Sequence, residues 1–206
     1  MDLKEVYLKR RSVNFFKKDF KVSLSDLKKI YDLAKLAPSS FNLQPYKILI
    51  VSKPKYKKLL KEVALNQQKV EDASVVLVIL ADKEGYKDFD RVFLDMIKKG
   101  YSTEDKKEFY KSIINKLYNT KILSRGFALR NAGLFALSFI FSAKYYGFDT
   151  HPMDGFEIKK LIKYFNIPTR YEPLMLIALG KFDDSKRLLP RLKRKDFKEI
   201  IIKETF

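Results

Sequence analysis

Three polar joints carry the residue types in this chain that could do chemistry, and all three suit binding better than acid–base work. Arg10, Arg11 and Ser12 stand together as RRS; guanidinium forks beside a hydroxyl suit a phosphate monoester. Arg191 and Lys193, in PRLKR at 190–194, could add charge from another direction. Between residues 38 and 45, PSSFNLQP packs Ser39, Ser40, Asn42 and Gln44 into the passage from a helix to a strand. These hydroxyls and amides are uncharged, as a neutral heteroaromatic ring edge or a sugar chain requires. Each joint also has a plainer reading. The arginines can be ordinary surface charge, and Ser39, Ser40 and Asn42 can satisfy the last carbonyls of the helix. One helix end scarcely needs four such side chains.

Composition removes several chemistries. There is no cysteine and one histidine, so disulfides, thiol catalysis and a one-chain zinc site of nitrogen and sulfur ligands are excluded. His151, in THPMD beside a proline, reads as a partly packed loop imidazole and not as a triad base. The seven glycines form neither a dinucleotide fingerprint nor a phosphate loop. Any nucleotide must be held another way. The 43 basic against 25 acidic residues give a net charge of +18. A basic nucleic-acid-binding protein is one reading of that surplus. Against it, the lysines are scattered over solvent positions of amphipathic segments such as LSDLKKIYDLAKLA, which suits a solvated surface that attracts phosphorylated small molecules.

The N-terminal MDLKEVYLKRRSVN has no apolar block of the signal-peptide kind, so a cytoplasmic protein is expected. AGLFALSFIFSA is shorter than the ~20 residues a bilayer span needs and reads as a core helix, with no membrane partner.

The elements that must position the joints follow from periodicity. LKEVYLKRR suggests a short helix, and a clearer one runs through VSLSDLKKIYDLAKLAP, capped by Ser23 or Ser25 and stopped by Pro38. YKILIVS is a strand between Pro45 and Pro54, and KYKKLLKEVAL a basic helix. DASVVLVILAD is continuous enough to be a central strand covered on both faces. Residues 85–125 read as a variable helical excursion. RGFALRNAGLFALSFIFSAKYYGF is a central helix ending at Gly147, with a subunit interface as an added role. EIKKLIKYFNIP is a helix, EPLMLIALG a buried strand, and EIIIKETF a final strand that pairs with a partner's sheet edge. The mixture indicates one domain over 1–206 with a sheet of about four or five strands.

In order along the chain, RRSVNFF, LAPSSFNLQPYKILIV, NQQKVEDASVVLVILAD, YYGFDTHPMDGFE, and LIALGKFD followed by PRLKR resemble the signatures of the flavin-dependent nitroreductase family. The resemblance implies a homodimeric α+β fold with a mostly antiparallel sheet and a C-terminal segment reaching the partner subunit. It implies FMN held at the subunit interface, NADH or NADPH as co-substrate, and ping-pong transfer of two electrons to nitroaromatics, quinones or a related small acceptor. Carried over, Arg10, Arg11 and Ser12 would bind the FMN phosphate, with Arg191 and Lys193. Pro38, Ser39, Ser40, Asn42 and Gln44 would line the flavin from the other subunit. Asn66 and Lys69 would face the ring and its pyrimidine edge. Met153, Asp154 and Gly155 match the loop whose backbone amide points at the reactive flavin nitrogen. Phe109 and Tyr110 would be a substrate lid, with helix packing as their alternative. Asn14 departs from the basic residue common there; either phosphate affinity falls or Lys17 and Lys18 compensate. A specialised metabolite or flavin-transforming role is the family alternative.

Overall fold

The computed structural model describes residues 1–205. Helix α1 (Leu3–Lys9) starts at a capping box between Asp2 and Glu5, and α2 (Leu24–Ala34) at one between Ser23 and Asp26. Ser23, not Ser25, is therefore the cap. A short turn at Ser40–Asn42 leads into β1 (Tyr46–Val51), followed by α3 (Pro54–Val63), α4 (Lys69–Asp72) and β2 (Val75–Asp82). The excursion carries α5 (Phe89–Lys98) and α6 (Lys107–Tyr118). Then come α7 (Lys121–Tyr145), β3 (Asp149–Met153), α8 (Ile158–Tyr164), β4 (Tyr171–Gly180) and α9 (Phe197–Ile200).

The four strands form one sheet in the order β1-β2-β4-β3, and every neighbouring pair is antiparallel. The continuous apolar run of β2 is buried at every position because helices cover both of its faces. Val75, Leu77 and Ile79 point into one layer with Ile30 of α2 and Phe127, Phe135 and Phe139 of α7. Val76, Val78 and Leu80 point into the other, with Leu60 and Val63 of α3 and Leu161 of α8. This period-2 division is what a central strand needs, and truncating one of the fully buried aromatics packed against it, such as Phe135 of α7, costs about 3–5 kcal/mol. Helix α7 spans 25 residues and is apolar enough to cross a membrane by length and composition. Eleven of its residues, among them Phe127, Asn131, Phe135 and Phe139, are buried against the rest of the fold.

The structure corrects two readings of the sequence. EIIIKETF is not a strand in the single chain: the Asp196–Glu199 capping box starts the one-turn helix α9, and among the described residues the segment has no sheet neighbour. The last residue of that segment, Phe206, lies outside the described residues. His151 is not on a loop but within β3, paired to Ala178 of β4. The adjacent Pro152 is tolerated because β3 is a sheet edge.

Candidate functional site

The RRS joint is gathered by an edge extension of the sheet. Arg10 is the extended residue that ends α1, Ser12 forms a parallel bridge with Thr150 of β3, and the Val13 amide donates to the Thr150 carbonyl at 3.1 Å. Arg10 Nη1 lies 3.4 Å from Ser12 Oγ. The C-terminal tail runs back over this segment: Arg191 Nη2 donates to the carbonyls of Leu8 and Arg10 at 3.0 and 3.1 Å, and Arg11 donates to the carbonyl of Leu189. Burial first, then the charges of Arg191, Arg194 and Arg11, push the Arg10 guanidinium below its ordinary value. The arginines that form ion pairs among the described residues are Arg125 and Arg170, so this cluster has no carboxylate of its own. Its contacts are to neutral oxygens, the Ser12 hydroxyl and the Leu8, Arg10 and Leu189 carbonyls, and use only some of the five donors of each guanidinium, so charge and donors remain for an external anion. Lys193 is not drawn in; it pairs with Asp196 at 3.0 Å in the exposed tail. Asn14 lines a cleft of about 90 Å³ with Arg11, Ser12 and Arg187.

The second group lies where α4 meets β3. Lys57 donates to the carbonyls of Glu71 and Ala73 at 2.6 and 2.7 Å and so caps the C-terminal end of α4, while Lys61 bonds Gln68 and Glu71, each at 2.7 Å. These contacts hold the start of α4, where Lys69 stands. Just before it, Leu65 and Asn66 both adopt left-handed backbone, with φ of 54° and 57°. Gln67 Nε2 donates to the Gly155 carbonyl at 3.0 Å, tying this corner to the loop after Met153. Asp154 is exposed, and its carbonyl accepts from the Phe156 amide at 2.9 Å. A Cβ on Gly155 would sit 3.3 Å from Gln67 Nε2, so the close approach suits glycine. Lys69 Nζ is 3.3 Å from His151 Nε2, and His151 Nδ1 is 2.9 Å from the Val13 carbonyl. Burial lowers the pKa of Lys69; burial and then the nearby Lys69 charge lower that of His151, against the pull of the Val13 carbonyl.

The polar joint at 38–45 is strained. Phe41, Asn42 and Gln44 have φ of 53°, 53° and 50°, each costing on the order of 1–3 kcal/mol for a non-glycine residue. Its side chains hold that shape. The Ser40 amide donates to Asn131 Oδ1 at 2.8 Å, the Gln44 amide to Ser39 Oγ at 3.1 Å, and Gln44 Nε2 to Asn42 Oδ1 at 3.0 Å. Pro38 faces away from these bonds into an open apolar groove of about 700 Å³, bounded by α1, α2 and α7. The side-chain hydrogen bonds of the joint run within it and to Asn131, not to Arg10–Ser12 or Lys69. One chain thus holds two separate polar assemblies.

The aromatic pair on α6 divides. Phe109 is 61% exposed, whereas Tyr110 packs towards Phe89 and Phe93, each at a centroid distance of 6.1 Å. Four residues of these assemblies escape a reading of the sequence: Lys57, Asn131, Arg187 and His151 as a strand residue. Asn131 alone leaves a local signal, an amide on a helix that is apolar nearly all round.

Helices on both faces of a four-stranded antiparallel sheet make this an α+β protein, and its arginine cluster at Arg10–Ser12 forms no ion pair with a carboxylate among the described residues. The signature of the nitroreductase family matches residues 7–181, and the chain belongs to that family. MhqN of Bacillus subtilis, named as an NAD(P)H nitroreductase, is 34% identical over 200 residues, 93% of this chain and 94% of that one. A Thermus thermophilus NADH dehydrogenase is 33% identical over 186 residues, 87% and 86% of the two chains. A crystal structure from Exiguobacterium sibiricum, solved in complex with FMN, superposes with a TM-score of 0.87 at 26% identity, covering 99% of this chain and 98% of that one.

Proposed function

We propose that the protein is an FMN-dependent NAD(P)H oxidoreductase that passes two electrons to a nitroaromatic, a quinone or a related small acceptor by a ping-pong route. The observation that carries this reading is the cluster of Arg10, Arg11 and Arg191 around Ser12, which forms no ion pair with a carboxylate among the described residues and in which burial and then the neighbouring guanidinium charges lower the basicity of Arg10. A phosphate monoester fits that donor set, because its charge relieves the repulsion and its oxygens accept from the forks. When bound, FMN supplies the two-electron chemistry that no side chain here offers. Arg10, Arg11, Ser12 and Arg191 grip the phosphate, with Asn14 and Arg187 at its flank, and Lys193 exchanges its exposed pairing with Asp196 for the phosphate. Asn66 and Lys69 face the ring, and the corner at Met153, Asp154 and Gly155 presents a backbone amide to it. Phe109, exposed on α6, covers the acceptor; Tyr110 anchors the helix beneath it.

The reading includes a homodimer. Pro38, Ser39, Ser40, Asn42 and Gln44 complete the pocket of a second copy, which explains a strained turn held rigid without a ligand in its own chain. Leu189, Leu192, Phe197 and Ile200 of the tail are exposed, and the outer edge of β1 is unpaired; both are satisfied when tails are exchanged over a partner. The test is an absorption spectrum of the purified protein followed by anaerobic NADPH, then NADH, with light scattering for mass. Flavin bands that bleach and return on adding a quinone, in a particle of twice the chain mass, support the proposal. A colourless monomer that takes up no FMN overturns it.

A further inference from the structure

His151 is a half-buried residue of the edge strand β3 whose two ring nitrogens face different partners, and the partners leave only one proton arrangement. The Val13 carbonyl, 2.9 Å from Nδ1, can only accept, so Nδ1 must carry the proton. In the neutral ring, Nε2 is then a bare lone pair, and it points at the Lys69 ammonium 3.3 Å away. An ammonium has donors and no acceptor, so Lys69 donates to Nε2. Val13 is itself fixed, since its amide donates to the Thr150 carbonyl beside the Ser12–Thr150 bridge. A rigid relay therefore runs from the arginine segment through Val13 and His151 to Lys69, across 138 and 82 residues of sequence. We propose that His151 is a positioning residue: its imidazole, oriented by the Val13 carbonyl, holds the Lys69 ammonium in the place from which it acts on the cofactor. The lowered pKa of His151 agrees with a neutral ring, since burial first and then the Lys69 charge disfavour its protonation; burial lowers that of Lys69. A lysine on a flexible stem is a mobile point charge, and one accepted hydrogen bond converts it into a located one. The inference rests on the proposal that Lys69 faces FMN.

Two measurements test it. The chain has one histidine, so the untagged FMN-loaded protein shows a single imidazole in proton–nitrogen NMR. At about pH 7.5 the expected spectrum has Nδ1 protonated and Nε2 bare, with the Nε2 signal displaced in Lys69→Met; a protonated Nε2 overturns the proposal. The second is the midpoint potential of bound FMN. Lys69→Met is expected to lower the preference for reduced over oxidised cofactor about tenfold, or about 30 mV for a two-electron couple. His151→Leu lowers it about threefold, and the double variant matches Lys69→Met, because both act through one ammonium. His151→Gln keeps a donor for Val13 and an acceptor for Lys69, so it restores the wild-type potential; it also serves if the leucine variant does not fold. An undiminished His151→Leu effect without Lys69, or none beside a lowered Lys69→Met potential, overturns the positioning role alone. An unchanged potential in Lys69→Met overturns the placement of Lys69 at the flavin, and the relay's function with it.

Discussion

Asn131 Oδ1 accepts the Ser40 amide at 2.8 Å across 91 residues of sequence, and Asn131 Nδ2 donates to the Phe127 carbonyl of its own helix at 2.7 Å. One buried amide thereby fastens the strained 38–45 turn to the central helix. Strain at Phe41, Asn42 and Gln44 persists only if surrounding contacts over-determine it.

Asn131→Ala is therefore expected to cost about 1–3 kcal/mol, the penalty for leaving a buried amide unpaired. A urea midpoint measures this, and hydrogen exchange at Ser40 should accelerate with it. Unchanged exchange at Ser40 would show the turn to be held by its own side chains.

Arg10→Ala removes one guanidinium from a cluster whose members repel each other. FMN affinity should fall about 10–100-fold, the worth of a charge-assisted hydrogen bond of roughly 1.5–3 kcal/mol. The stability of the FMN-free protein should stay level or rise. Titration by flavin fluorescence, with melting curves of both proteins, distinguishes this from general misfolding, which lowers both quantities.

His151 gives the stability a pH dependence of known sign. Burial and the Lys69 charge place its folded pKa below the ordinary 6.5, so the unfolded chain binds the proton first as pH falls. Stability is complete above the unfolded value and is lost as pH drops towards the folded one. Urea midpoints between about pH 8 and pH 5 should decline more steeply in wild type than in His151→Leu. Parallel curves would show that the ring does not stay neutral in the native state.

Tyr46 stacks on Phe135 at 4.1 Å, and its hydroxyl is buried with no hydrogen-bond partner among the described residues. Burial pushes its pKa up to about 12. Removing an unpartnered hydroxyl relieves a desolvation cost, so Tyr46→Phe should leave stability unchanged or raise it by about 1 kcal/mol. A loss of that size in the urea midpoint would reveal a partner for the hydroxyl, such as a group from a second subunit.

Local pattern was enough for much of this molecule. The cap at Ser23, the all-buried run of β2, and the long apolar body of α7 ending near Gly147 follow from propensity and periodicity, because each depends on residues a few positions away; the start of α7 at Lys121, four residues before the RGFALRN segment and capped by Thr120, escaped a reading of the sequence. The joints at Arg10–Ser12 and Ser39–Gln44 were visible for the same reason: polar side chains crowd where a chain of this pattern needs few. Strand β3 was not visible, since DTHPM has no alternation and contains a proline; it exists through its register with β4, where Thr150 pairs with Leu179. The split between Phe109 and Tyr110, the Asn131 clasp and the His151–Lys69 contact were hidden likewise. Each is a meeting of residues far apart in sequence, and only the packing of helices on both faces of the sheet brings their atoms within reach.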